Sequence, residues 1–240
     1  LGNCGFHFCN FGNNPHDGQK RADEWNQLKR SPASVLCMCE AYDELMDFLG
    51  EESDQQSAVA GFPICDSLEK RASMKWLGIK GVEPKGTPMI AVRATMASSL
   101  KCLLSKKISF GMRHEHKTWT RVLICRVTLD YHVLGLGDEF TVMCIHVHNT
   151  LGSAKCKPNK QKKFYDWFAD LLETYKVQVV CGDFNMLMVP TFEQCRSRGF
   201  HVDLAAWNTF RIFPGGEPAC DSCAAFFVNV PGSYTLAKGH

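Results

Sequence analysis

Residues 177–185, VQVVCGDFN, narrow most sharply what this chain can become, because a short apolar run passes directly into Gly-Asp-Phe-Asn. Val177, Val179, Val180 and Cys181 have the composition of a buried strand, and Gly182 predicts a tight exit that turns the next side chains toward a cleft. Asp183 and Asn185 then share one rim at the strand's C-terminal end. A carboxylate and an amide two residues apart can hold a water and a phosphate oxygen together, which is what hydrolysis of a phosphoester needs. The same tetrapeptide equally fits a turn in which Asp183 caps its own backbone. Other segments have to decide between them.

Two segments repeat this pattern of an apolar run ending in polar groups. Residues 33–40, ASVLCMCE, are apolar until Glu40, and a carboxylate ending a buried strand needs a partner. Residues 140–149, FTVMCIHVHN, end in His146, His148 and Asn149, with the two histidines on one face by the period of a strand. Residues 121–128, RVLICRVT, form a further strand opened by Arg121. An amphipathic helix is expected over 162–175, where Phe164, Trp167, Phe168, Leu171 and Leu172 make a core face rather than a base-stacking platform. Other helices are expected from Asn14 or Asp17 to Arg30, over 41–57 as an acidic solvated helix running into a loop, over 67–77, and over 190–198. Residues 78–86 read as turns before a strand at 89–92, and 200–207 as an amphipathic segment.

Composition bounds the class. At 240 residues, 45% hydrophobic and 22% charged, the chain can bury one large core, and we read 1–240 as a single α/β domain. It opens on Leu1 rather than Met, so it reads as part of a longer or processed protein. No apolar run reaches membrane-span length. A net charge of +2 is too mild to name a partner, so phosphate affinity has to come from local clusters. One such cluster is Lys155, Lys157, Lys160, Lys162 and Lys163, a patch suited to tracking a nucleic-acid backbone or simply a solvated loop and helix start. The thirteen cysteines are odd in number and several lie inside apolar runs, the pattern of buried free thiols in an intracellular protein. Cys220 and Cys223 make a CxxC, and His114 and His116 an HxH, neither with a second half at zinc spacing.

With GDFN following a VVC strand, Glu40 ending an earlier strand and His146, His148 and Asn149 ending a later one, the chain resembles the endonuclease/exonuclease/phosphatase family over nearly its whole length. The resemblance implies a deoxyribonuclease-I-like, two-sheet α/β sandwich with flanking helices. It implies a Mg²⁺ or Mn²⁺ ion held by Glu40 with Asn3 nearby, a carboxylate chemistry that suits hard ions. Asp183 would orient and deprotonate the attacking water, helped by Asn185. Asn149 and one of His146 or His148 would bind phosphate oxygens, with Arg121, Lys155 and Lys157 as further substrate contacts. His240, held by Asp221, would stabilise charge in the transition state. Gly239 departs from the pattern, standing where an aspartate precedes the final histidine, and it puts activity in question.

The expectation is a metal-dependent phosphodiester hydrolase, foremost an endonuclease that cuts DNA as a monomer. A retroelement origin would place it in the nucleus. The alternatives are a phosphatase of the same fold and an inactive relative that binds nucleic acid or a partner. A basic groove beside Glu40 and Asp183 would favour the nuclease.

Overall fold

The computed structural model describes residues 4–10, 33–41, 53–57, 76–81, 87–111, 119–133, 136–152, 156–207 and 223–229. Asn3, Lys155, Asp221, Gly239 and His240 lie outside the described residues, as do His114, His116, Cys220 and the helix expected before Arg30.

Eleven described strands form two sheets. One holds β1 (Phe6–Asn10), β2 (Val35–Ala41), β3 (Ser53–Ser57), β4 (Trp76–Lys80) and β5 (Thr87–Arg93), in the order β1-β2-β5-β4-β3. The other holds β6 (Ala97–Ser109), β7 (Trp119–Val133), β8 (Gly137–Val147), β9 (Val179–Asp183), β10 (Val202–Trp207) and β11 (Cys223–Val228), in the order β10-β11-β9-β8-β7-β6. Pairing is parallel for β1–β2, β3–β4 and β8–β9 and antiparallel elsewhere. Both sheets are therefore mixed. Among the described residues three α-helices follow β8: α1 (Asn149–Gly152), α2 (Pro158–Thr174) and α3 (Met188–Ser197).

The continuous apolar runs are explained by what covers the six-stranded sheet. Its inner face packs on the other sheet, where Val35, Cys37, Cys39, Ile90 and Val92 meet Leu123, Cys125, Cys144 and Cys181. Its outer face packs on helices, where Val122, Ile124, Met143, Ile145 and Val180 meet Phe164, Phe168, Leu171 and Leu172 of α2. A strand buried on both faces has no polar alternation to show. Helix α2 starts at Pro158, whose missing N–H costs nothing at that position, and its aromatic residues are core as expected. The cysteines behave as small apolar side chains. Burial pushes the thiols of Cys39, Cys125 and Cys144 well above their ordinary range, which keeps them neutral and unreactive.

Four local expectations change. Residues 53–57, expected at the end of a helix and loop, form the edge strand β3, because backbone pairing with β4 outweighs the missing apolar period of SDQQS. Trp76 and Leu77, expected to end a helix, open β4, which continues through the supposed turn at Gly78 to Lys80. The segment from residue 200 resolves into β10, paired with β11. Gly182 is not a tight exit: it sits inside β9 opposite Ile145 of β8, and a Cβ there would run into the Ile145 carbonyl oxygen. Glycine is required at this position for close strand approach.

Candidate active site

Strand register brings the chemistry-bearing residues together. His146 is the partner of Asp183 across the parallel β8–β9 pair, of Arg121 across β7–β8, and Arg121 is in turn the partner of Lys107 on β6. Partners in register share a face, and Leu123, Cys144 and Cys181, two residues away on their strands, belong to the inter-sheet core. Asp183, His146, Arg121 and Lys107 therefore form a row across four strands at the mouth of the sandwich. The next row up holds His148 and Trp119.

The other sheet supplies Glu40. Its Oε1 is 3.8 Å from His146 Nε2. The end of β2 is fixed there by the Cys39 thiol, which donates to the Ile145 carbonyl at 3.2 Å. Past Met38 the pairing of β2 with β5 shifts register, and Glu40 has a φ of 55°, in the left-handed region. A bulge of this kind re-aims one side chain, at a backbone cost of roughly 1–3 kcal/mol for a non-glycine residue. It points Glu40 at the mouth.

Both carboxylates are nearly out of water, Glu40 9% and Asp183 4% exposed. One Asp183 oxygen, Oδ1, accepts the Asn185 backbone N–H at 2.9 Å, so Asp183 does cap its own turn. Asn185 takes a φ of 50°, which asparagine tolerates, and its side-chain N–H donates to the Val147 carbonyl. That bond ties the GDFN turn to the end of β8 and makes Asn185 a positioning residue for Asp183.

His146 is 6% exposed, and its Nδ1 is buried with no hydrogen-bond partner among the described residues. Burial pulls its imidazole from 6.5 down to about 4, with Asp183 opposing and Arg121 and His148 reinforcing the fall. It is neutral at pH 7. Its approach to Glu40, at 3.8 Å, is accordingly neither an ion pair nor a hydrogen bond. The unfolded chain takes up the proton more readily than the folded one between these two values. Folding stability is thus intact above pH 6.5 and declines as pH falls toward 4, by about 3 kcal/mol in total. Urea unfolding of the metal-free protein across this window checks the slope, which His146→Gln should flatten.

His148 is half-buried and held differently. The Thr150 backbone N–H donates to His148 Nδ1 at 3.2 Å, which leaves the ring proton on Nε2. Both histidines lean on Trp119, with centroids at 5.3 Å for His146 and 4.6 Å for His148. The Arg121 guanidinium lies 4.2 Å from the same ring and the Lys107 ammonium 5.8 Å. Trp119 is the hub that sequence reasoning missed. Its signal was the period-2 spacing of Trp119 with Arg121 and of His146 with His148, which speaks only once β7 and β8 are aligned. Trp119→Ala is expected to lower stability by about 1–3 kcal/mol in urea unfolding, from lost ring and cation contacts.

Asn149 is exposed at the start of α1, beyond the end of β8 rather than on it. Lys157 is exposed at the N-cap of α2, in the helical layer on the opposite face of the six-stranded sheet from Glu40. Neither takes part in the row. Among the described residues no group of three or more His, Cys, Asp and Glu is arranged to hold a metal. Glu40 and Asp183, two buried carboxylates at one mouth, still fit a hard ion such as Mg²⁺, which takes one or two protein carboxylates and keeps its waters.

This architecture has known counterparts. The structure of zebrafish TDP2 complexed with single-strand DNA product superposes with a TM-score of 0.55 at 16% identity, over 93% of this chain and 82% of that one. An endonuclease/exonuclease/phosphatase family protein from Bacteroides thetaiotaomicron matches with a TM-score of 0.57 at 10% identity, over 95% and 83%. This chain has the endonuclease/exonuclease/phosphatase fold. A mannosyl-6-phosphatase of the same bacterium shares the endonuclease/exonuclease/phosphatase fold, with a TM-score of 0.55 at 11% identity, over 94% and 85%. No family model and no curated protein matches the sequence. The two-sheet sandwich that the family resemblance implied is thus the observed fold, and among the described residues no helix is long and apolar enough to cross a membrane.

Proposed function

We propose that this protein is a divalent-metal-dependent phosphodiester hydrolase that cuts the DNA backbone. The observation that carries the reading is the meeting of Glu40 from one sheet with Asp183 and His146 from the other, bordered by Arg121. An acidic pair for a cation, one carboxylate from each sheet, with a neutral imidazole and a guanidinium on the strands beside Asp183, supplies the parts that hydrolysis of a phosphoester uses. The single-strand DNA product in the zebrafish TDP2 structure supports a nucleic-acid substrate.

Glu40 and Asp183 would hold the ion, which when bound would polarise a phosphate oxygen and screen its charge. Asp183, kept in place by its bond from Asn185, orients the attacking water and accepts its proton. His146, neutral at pH 7, offers a ring N–H to a phosphate oxygen without adding charge. Arg121, stacked on Trp119, binds the phosphate anion. Asn3, Asp221 and His240, outside the described residues, complete the proposal as a further metal contact and a histidine–carboxylate pair.

The test is nicking of supercoiled plasmid in Mg²⁺, with and without chelator. Conversion to open circles that stops with chelator supports the proposal. Intact plasmid under both conditions, with the protein folded by circular dichroism, refutes it. Arg121→Ala is expected to raise KM about tenfold or more with a smaller change in kcat, because an anion contact made in the ground state contributes mainly to binding.

A further inference from the structure

The row at the mouth does not end at Arg121. It continues onto β6, where the space between the two sheets opens into a cavity of about 60 Å³ lined by Thr87, Ser105, Lys106, Lys107 and Arg121 among others. That is several times the room one water needs. Its walls are of two kinds. Thr87, from the five-stranded sheet, and Ser105 bring hydroxyls; the Thr87 hydroxyl makes a long 3.4 Å bond to the Pro88 carbonyl. Lys107 and its register partner Arg121 bring cationic side chains, Lys106 alternating to the other face with its partner Val122, and among the described residues no carboxylate lines the cavity. Gly81 keeps the wall thin: a Cβ there would run into the Thr87 hydroxyl and lie 3.3 Å from that of Ser105.

The mouth thus has an electrical polarity. Glu40 and Asp183 stand at one end, His146 and Arg121 between, and Lys107 at the other. Neighbouring strands are about 4.8 Å apart, so Lys107 stands roughly 10 Å across the sheet from His146. A cavity with hydroxyl donors, a cation and, among the described residues, no carboxylate takes an anion, and its place three strands, roughly 14 Å, from Asp183 makes that anion a second one on the same ligand.

We propose that the cavity at Lys107, walled by the Thr87 and Ser105 hydroxyls, is a second anion subsite, which binds a non-scissile phosphate of a polynucleotide roughly one to three nucleotides from the bond that is cut. The inference rests on the phosphodiester-hydrolase reading above for the position of the reacting phosphate, and it names the substrate class further: a strand carrying several phosphates is preferred over a phosphomonoester or an isolated diester. Trp119 carries the Arg121 guanidinium at 4.2 Å and the Lys107 ammonium at 5.8 Å from one ring and so ties the subsite to the row at the mouth.

The test is binding without turnover. Fluorescein-labelled thymidine oligomers of one, two and four nucleotides are titrated with the full chain in EDTA and followed by anisotropy at several salt concentrations. Affinity is expected to rise about tenfold or more from one phosphate to four. Lys107→Glu removes most of that rise and lowers the salt slope by about 0.7 per lost phosphate contact, while Lys107→Arg retains both. Lys163→Glu makes the same charge change on α2 and leaves the rise in place. The proposal is overturned if affinity is independent of length, or if Lys107→Glu and Lys163→Glu weaken all three oligomers alike. Length-dependent binding that requires Lys107, without Mg²⁺-dependent nicking, keeps the subsite and rejects the hydrolase reading instead.

Discussion

Asp183→Asn is expected to slow plasmid nicking by about 1,000-fold or more while leaving the protein folded. The substitution keeps the shape of the turn, because the amide oxygen can still accept the Asn185 N–H that Asp183 Oδ1 accepts at 2.9 Å. What it removes is the negative charge and the basicity. Loss of a positioned base costs roughly 10² to 10⁴ in rate, and loss of a carboxylate at the cation adds to that; a 1,000-fold decrease is about 4 kcal/mol of transition-state stabilisation. Initial rates of nicking at saturating Mg²⁺ measure it, beside urea melts to show that folding is unchanged. Rates within tenfold of the parent would remove Asp183 from the chemistry. The substitution also tests the bland reading of GDFN: were Asp183 only a turn cap, asparagine would serve as well.

Gly182→Ala is expected to destabilise the fold by about 3 kcal/mol or more, a large part of the 5–15 kcal/mol that holds such a domain together. The added methyl would meet the Ile145 carbonyl oxygen and side chain, and backbone on a central strand cannot retreat as a flexible side chain can. Strands β8 and β9 would have to separate, which pulls His146 away from Asp183. Chemical denaturation and the soluble fraction on expression measure the effect. A melt indistinguishable from the parent would show that the strands can yield. By contrast, alanine at Gly199, which has open space around it, should cost only the strain of its φ of 85°.

How much of this was legible in the sequence depends on what each residue answers to. The buried strands were legible because a sheet covered on both faces writes continuous apolar runs, as in residues 140–147. The strand-end positions of Glu40, His146 and Asp183 followed from the polar residue closing each run, and the shared face of His146 and His148 followed from the strand period. Pairing between strands is not local, and there the reading ran out. Trp119 and Lys107 carry no signal of their own in the sequence; each gains its meaning only when β7 is set against β8 and β6. The edge strand β3 has no apolar signature, since its backbone pairing does the work. The left-handed turn at Glu40 has no sequence signal, because glutamate is not a residue that favours it. The lysine cluster at 155–163 drew attention by density alone, and helix packing sends its described part to the other side of the sheet.

The origin of Glu40 on one sheet and of its counterparts on the other has a consequence for how the protein fails. No single hairpin contains the site: Glu40 and His146 are 106 positions apart in the chain and meet only across the inter-sheet core. Sliding or parting of the layers would separate acid from imidazole before any strand lost its hydrogen bonds. Catalysis would then report on layer contact, and activity in mild denaturant should vanish ahead of the far-ultraviolet circular dichroism signal. The Glu40–His146 gap would be the hinge at which an intact-looking protein goes silent.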